Sequence, residues 1–138
     1  MRLKFIAVFS LFAVILTAGG SALAHHGSGV SYDLSKLVTM QGTVTEFQWR
    51  NPHVYVMYDV KDAQGNVVNW GAETHAPVVC ENQDHWTKST LKPGDKITIG
   101  VFPSKLGSPR GLLAKIVMDD GTGKVIIDDT GRGRQAGQ

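Results

Sequence analysis

The sequence has little cysteine, little excess charge of either sign and few long apolar runs. Its 138 residues include one cysteine, Cys80, and the longest uncharged apolar run covers residues 5–18. A chain with one cysteine forms no intramolecular disulfide. A membrane-spanning helix needs roughly 20 mainly apolar residues, and no later segment has that character.

The flanks of this apolar run explain its presence. Arg2 and Lys4 precede it, and small residues ending in Ala22-Leu23-Ala24 follow it. A basic start, an apolar stretch and an Ala-x-Ala end predict a signal peptide over residues 1–24. An uncleaved anchor is the alternative, but the run is short and the cleavage site is well formed. We therefore expect a periplasmic or secreted protein that has no membrane attachment after cleavage.

Cleavage also removes the net charge. The chain has 14 Lys plus Arg and 12 Asp plus Glu, and residues 1–24 hold two of the basic side chains and none of the acidic ones. Residues 25–138 therefore carry no formal net charge. A nucleic-acid binder of this size carries a basic patch or stripe, so we expect no nucleic-acid partner.

The rest of the chain divides into three parts. Residues 25–36 are polar and rich in Gly and Ser, and we interpret them as a flexible, histidine-containing leader that hangs from or drapes over the domain. Residues 37–129 form one domain. Residues 130–138 contain three glycines, two arginines and no apolar run, which is typical of a disordered tail.

Period-two alternation predicts strands through most of the domain. In residues 53–60 the even positions are expected to face the core and the odd positions to face outward. A change of phase near Thr45-Glu46 predicts a β-bulge in the strand before. Residues 67–73 form a third strand, and Pro77 opens a short helix with Val79, Gln83 and Trp86 on one face. Residues 96–101, 112–118 and 124–127 supply further strands.

This order predicts an all-β fold with one short helix: a small five- to six-stranded OB-like antiparallel barrel. Closure would remove the exposed sheet edges, and a small sandwich is the structural alternative. Phe47 and Trp70 are expected to fill the barrel, as large aromatic side chains usually do. A groove lined by Trp49, Tyr55 and Trp70 is the other interpretation.

The histidines carry the strongest chemical signal. Cleavage after Ala24 would make His25 the first residue, so its α-amine and imidazole would chelate one metal ion together. The α-amine has an ordinary pKa of about 7.7–8.0, and nitrogen ligands of this kind suit copper, which heads the divalent affinity order. We hypothesise a copper site of His25, His26 and His53, with His75 as an additional ligand at a strand end. The alternative is that the double histidine is an ordinary polar leader.

Other chemistry finds less support. His75 and His85 are ten residues apart and match no zinc-site spacing, and Cys80 is expected to be a small buried hydrophobe. The chain has no G-x-S-x-G, no H-E-x-x-H and no phosphate loop. We therefore expect a protein that is not an enzyme; a copper oxidase is the only enzyme that the histidines would suit.

Three pieces of the sequence carry a family resemblance. Ala24-His25-His26, the Trp-x-Asn-Pro-His ending of residues 42–53, and Leu-Lys-Pro-Gly-Asp at residues 91–95 resemble a family of small exported proteobacterial proteins classed as a domain of unknown function. The resemblance implies a one-domain periplasmic barrel with no assigned catalytic activity. It carries motif histidines onto His25, His26 and His53, whereas residues 74–86 depart from the pattern.

Two hypotheses follow. The first is a non-enzymatic periplasmic binding module that holds copper through the mature N-terminal His25, with His26 and His53. The second is an accessory domain that docks another exported protein, with the histidines incidental.

Overall fold

The computed structural model describes residues 29–131. They form six strands and one helix: β1 (Val38–Gln48), β2 (Tyr55–Lys61), β3 (Val67–Glu73), α1 (Pro77–Asp84), β4 (Lys96–Pro103), β5 (Arg110–Met118) and β6 (Val125–Asp128). Within this part of the chain no helix is both long enough and apolar enough to cross a membrane. The predicted signal peptide, His25, His26 and residues 132–138 lie outside the described residues.

The strands form one sheet in the order β3-β2-β1-β4-β5-β6, and an additional β3–β5 pair closes the first five into a barrel. The predicted small all-β barrel with one short helix is confirmed. The closing pair is parallel, with Gly71 opposite Arg110 and Glu73 opposite Leu112, so the barrel is mixed where the sequence predicted antiparallel pairing throughout. Pairing between distant strands has no local sequence signal, which is why alternation alone missed it.

Two strands, β3 and β6, pair with the same edge of β5. β4 pairs with it from Gly111 to Met118 on the other edge. β3 therefore shares an edge with β6, which pairs with Lys115, Ile116 and Val117. The predicted sixth strand is confirmed, and it covers the part of the β5 edge that β3 leaves.

The alternation in β2 places the core as predicted. Val54, Val56 and Tyr58 are fully buried, and they join isoleucines and valines of β4 and β5 in one hydrophobic cluster. The predicted irregularity in β1 is confirmed, because its register against β2 shifts between Val44 and Glu46. The bulge lies just past the part of β1 that pairs with β4, which ends at Thr43, and a bulge bends the strand at that point.

The helix differs from its predicted face. α1 buries only Cys80, whereas Gln83 is exposed. The helix ends at His85, which takes a left-handed conformation with φ 56°. Trp86 follows this reversal, lies 2 % exposed in the core, and donates its indole N–H to the Ile126 backbone oxygen at 3.3 Å. The spacing of Trp86 from Val79 and Gln83 was therefore not a helical stripe.

The described part of the leader, residues 29–36, drapes over the outside of the barrel. Tyr32 and Leu34 pack against a second small cluster of Phe102, Leu112 and Ala114. Backbone bonds fix the segment: Asp33 N donates to Pro103 O at 2.9 Å, and Lys105 N donates to Ser31 O at 3.0 Å. The N-terminal segment is thus attached to the end of β4 and the start of β5.

Candidate functional site

His53 is placed at the site by the turn before β2. It follows the cis Asn51–Pro52 peptide bond and precedes Val54, whose N–H donates to His75 O at 2.9 Å and whose oxygen accepts from Thr74 N at 3.0 Å. These bonds continue the β2–β3 hydrogen-bond ladder beyond the ends of the two strands. As a result His53 lies beside the end of β3, where its Nδ1 contacts Oε1 of Glu73.

Glu73 is the centre of a small group of polar side chains, which we call the Glu73 cluster: Tyr32, His53, Tyr55 and Glu73. Tyr32 donates its hydroxyl to Glu73 Oε2 at 2.5 Å. Tyr55 lies directly opposite Glu73 in the β2–β3 register. The two carboxylate oxygens therefore serve different partners, His53 on Oε1 and Tyr32 on Oε2.

The surroundings of Tyr32 and Tyr55 raise the pKa of both hydroxyls and so favour their neutral form. Burial raises the pKa of Tyr32, and the hydrogen bond to Glu73 and the charge of that carboxylate raise it further. Burial also raises the pKa of Tyr55, with the charge of Glu73 next in effect. A neutral hydroxyl is a donor, and the Tyr32 hydroxyl donates to Glu73.

Arg110 supplies a positive charge close to the cluster. Its side chain lies against Gly71, since a Cβ at that position would come within 3.0 Å of Nη1 and 3.1 Å of Cδ. The Arg110 charge lowers the pKa of both Tyr32 and Tyr55, against the larger opposing effect of burial. A side chain at position 71 would therefore displace the Arg110 guanidinium by a few tenths of an ångström.

The structure describes two of the four predicted metal ligands, His53 and His75. His25 and His26 lie outside the described residues, and His53 lies in the Glu73 cluster with its side chain 46 % exposed. His75 is half-buried at the end of β3, and its backbone oxygen accepts from Val54 N and from the Cys80 thiol at 3.7 Å. Its role as an additional ligand stays a prediction.

Cys80 has the environment of a structural thiol. It is fully buried, and burial raises its pKa, with the charge of Asp84 adding to the effect. A thiol with a raised pKa is a poor nucleophile and a poor metal ligand near neutral pH.

The cluster offers one nitrogen to a metal. Glu73 occupies Nδ1 of His53, so the second ring nitrogen, Nε2, is the one left available to a ligand. A carboxylate on the remote nitrogen is the usual support of a metal-bound histidine. Across residues 29–131 no three or more His, Cys, Asp or Glu side chains are grouped so that they could hold a metal ion. Further ligands would have to come from outside this range.

Sequence reasoning missed Tyr32, Glu73 and Arg110. Alternation in β3 puts Glu73 on the outer face of the strand and Trp70 on the inner face, which was a usable signal. The position of Glu73 beside His53, however, depends on the cross-strand register. Tyr32 lay in a segment expected to be flexible, and no local pattern indicates that it packs on β4 and β5.

Comparison with known proteins adds a family. The profile of a family of unknown function, DUF6152, matches residues 13–114, so the chain belongs to that family. The match confirms the expectation of a family without an assigned function. No curated protein and no solved structure matches the chain.

Proposed function

We propose, for this member of a family of unknown function, that the protein is a non-enzymatic, periplasmic or secreted copper-binding module. The ligands would be the α-amine and imidazole of a mature N-terminal His25, with His26 and His53 completing the site. The observation that carries the proposal is the contact between His53 Nδ1 and Glu73 Oε1, because it orients an exposed imidazole in the way that metal-binding histidines are oriented.

The anchoring of Tyr32 supports a reach of the N-terminal donors to His53. Tyr32 is anchored on the same carboxylate as His53, and His25 is seven positions before it in the chain. Seven steps of chain span at most about 25 Å when extended. The proposed site needs the terminal chelate at His25 to reach Nε2 of His53 within that length.

The donor chemistry favours copper. An amine and two or three imidazoles form an all-nitrogen set, and copper(II) is bound most tightly by such ligands among the divalent first-row metals. Zinc structural sites usually use four ligands, often thiolates, and the single thiol is buried and protonated near neutral pH. A copper-handling or copper-protecting role in the exported compartment would follow.

The test is a copper(II) titration of protein that begins at His25 and of a version with one extra residue before His25. Tight binding should be lost in the extended version and should weaken by about tenfold or more in His53→Ala. His85→Asn is the matched control, since His85 is exposed and Asn tolerates its left-handed conformation. Equal affinity of the processed and extended proteins would refute the terminal chelate.

A second candidate is an accessory domain that docks another exported protein. It is favoured by Leu106, which is 92 % exposed in the loop between β4 and β5 and would offer an apolar contact to a partner. Pull-downs from periplasmic extract, with and without chelator, separate the two functions. A partner retained in chelator and released by Leu106→Ser, together with metal-free purified protein, would favour docking.

A further inference from the structure

A pocket of about 620 Å³ lies between the N-terminal segment and the outer face of β1, β4 and β5. Its volume is within the range of sites that bind small molecules, about 300–1,000 Å³. The lining combines apolar side chains, hydroxyls and one ammonium group, and it shares no residue with the Glu73 cluster. A concave surface with an apolar part and a few polar groups is the usual form of a small-molecule site.

One part of the lining is apolar. It consists of Leu34, Leu37 and Phe102. Leu34 packs on the small cluster that contains Phe102, which holds the N-terminal segment over the sheet. The Leu37 side chain is still 46 % exposed, so part of this apolar surface remains open to solvent. An apolar ligand group that covered it would be favoured by the hydrophobic effect.

The strand register places two hydrogen-bond donors beside the apolar part. Thr39, Gly100 and Lys115 are aligned across β1, β4 and β5, and Thr39 and Lys115 line the pocket. Gly100 has no side chain to separate them. A Cβ at Gly100 would lie 3.5 Å from Leu37 Cδ1 and from Lys115 Cβ, and 3.8 Å from Thr39 Oγ1. The apolar part and the two donors therefore meet over this glycine.

Lys115 is the charged side chain among the described residues that line the pocket. Its Nζ binds Asp128 Oδ2 at 2.7 Å, and both side chains are 40 % exposed. An ammonium group has three donors, and an exposed ion pair of this kind contributes little to stability. A carboxylate on a ligand would therefore share Lys115 with Asp128 or replace it at low cost.

The other hydroxyls of the lining limit where a carboxylate would bind and how much charge it would carry. Each already donates its proton to an aspartate and has only acceptor lone pairs left for a ligand. The aspartates behind them also disfavour a second negative charge, so a single carboxylate suits the pocket better than a phosphate dianion. These bonds are Ser35 to Asp33 at 2.6 Å, Thr98 to Asp119 at 2.9 Å and Thr130 to Asp128 at 2.8 Å.

We propose that this pocket binds an amphipathic monocarboxylate, a small molecule with an apolar chain or ring and one carboxylate. The apolar part contacts Leu34, Leu37 and Phe102, and the carboxylate accepts hydrogen bonds from Lys115 and Thr39. This site is separate from the proposed copper site and does not depend on it.

The test compares three probes that have the same alkyl chain and different head groups: octanoate, 1-octanol and octylammonium. Affinities for the purified protein are measured by nuclear magnetic resonance titration of the backbone amides. Octanoate should bind about tenfold more tightly than 1-octanol, because a hydrogen bond to a charged group is worth more than a neutral one. Octylammonium should bind most weakly, and the shifts should centre on Leu37, Gly100 and Lys115.

Two variants separate the head group from the chain. Lys115→Met keeps an apolar stem and removes the ammonium group, so octanoate should bind about tenfold more weakly and 1-octanol within about twofold of wild type. Leu37→Ser should weaken both probes by a similar factor, about fivefold. Lys88→Met and Leu106→Ser make the same changes at exposed positions outside the pocket and should alter neither affinity.

Several results would overturn the proposal. A lack of octanoate binding, or shifts centred away from the pocket, would exclude the site. Equal affinity for the three probes would show apolar contact without recognition of a carboxylate, and tighter binding of octylammonium would show the opposite head-group preference. An equal loss of octanoate and 1-octanol affinity in Lys115→Met would mean that Lys115 does not bind the carboxylate.

Discussion

Replacing Tyr58 by Phe should stabilise the protein. Tyr58 is fully buried, and its hydroxyl has no hydrogen-bond partner among the described residues. A buried hydroxyl without a partner costs about 1–3 kcal/mol, and the loss of one oxygen from a packed site cancels part of the gain. We expect the free energy of unfolding to rise by about 1 kcal/mol, or the melting temperature by about 4 °C for a domain of this size.

The assay is urea unfolding of the two proteins, in which a higher midpoint at an unchanged slope reports a change of stability. Tyr32→Phe is the matched control, because the same atom is removed from a hydroxyl that donates to Glu73; it should lower stability by roughly 1 kcal/mol. A midpoint for Tyr58→Phe at or below that of wild type would refute the reasoning and would indicate that the hydroxyl is hydrogen-bonded in solution.

The advantage of Tyr58→Phe should grow in alkali. Burial raises the pKa of Tyr58 above its ordinary value, so the folded protein holds the proton at a pH where the unfolded chain releases it. Below the unfolded pKa of about 10 the difference in stability between the two proteins is constant. Above it, ionisation of Tyr58 in the unfolded chain lowers the stability of wild type by up to about 1.4 kcal/mol per pH unit, and Tyr58→Phe escapes this loss. Parallel stability curves for the two proteins above that pH would contradict this.

Three smaller predictions concern single buried positions. Gly111→Ala should destabilise the barrel by roughly 1–3 kcal/mol, because its Cβ would lie 2.7 Å from Val101 Cβ. Gly100→Ala, whose Cβ would meet nothing closer than 3.5 Å, should cost less in the same urea assay, and the reverse order would contradict the packing. Cys80 should react with a thiol reagent only after unfolding in guanidinium chloride, and rapid labelling of the native protein would show that its burial is wrong. Thr74→Val should leave thermal stability unchanged or raise it by up to about 1 kcal/mol, since the buried Thr74 hydroxyl has no partner among residues 29–131; a clear loss would indicate one.

The parts of the fold that local pattern determines were predictable. Alternation assigned the buried and outward faces of β2, and the change of phase near Thr45-Glu46 located the bulge, because both are properties of neighbouring residues on one strand. The helical face was predicted wrongly, since the spacing from Gln83 to Trp86 ignored a possible chain reversal at His85. A left-handed residue without glycine leaves little trace in the sequence.

The candidate site was only half predictable. His53 could be predicted as a site residue because the rigid Asn51-Pro52 turn directly before it fixes where its ring projects. Glu73 and Tyr32 were not, because each meets His53 or its partner across a strand register or across the packing of a segment onto another strand pair. Contacts of that kind are set by the whole barrel, and one sequence by itself does not specify them.

The double contact of Glu73 determines how a mutation at this position would act on the site. A single substitution there removes the support of His53 and the bond to Tyr32 together, since one oxygen of the same carboxylate serves each. Loss of both contacts therefore takes one mutation. Position 73 is accordingly the point at which the histidine and the N-terminal segment would be kept or lost as a unit.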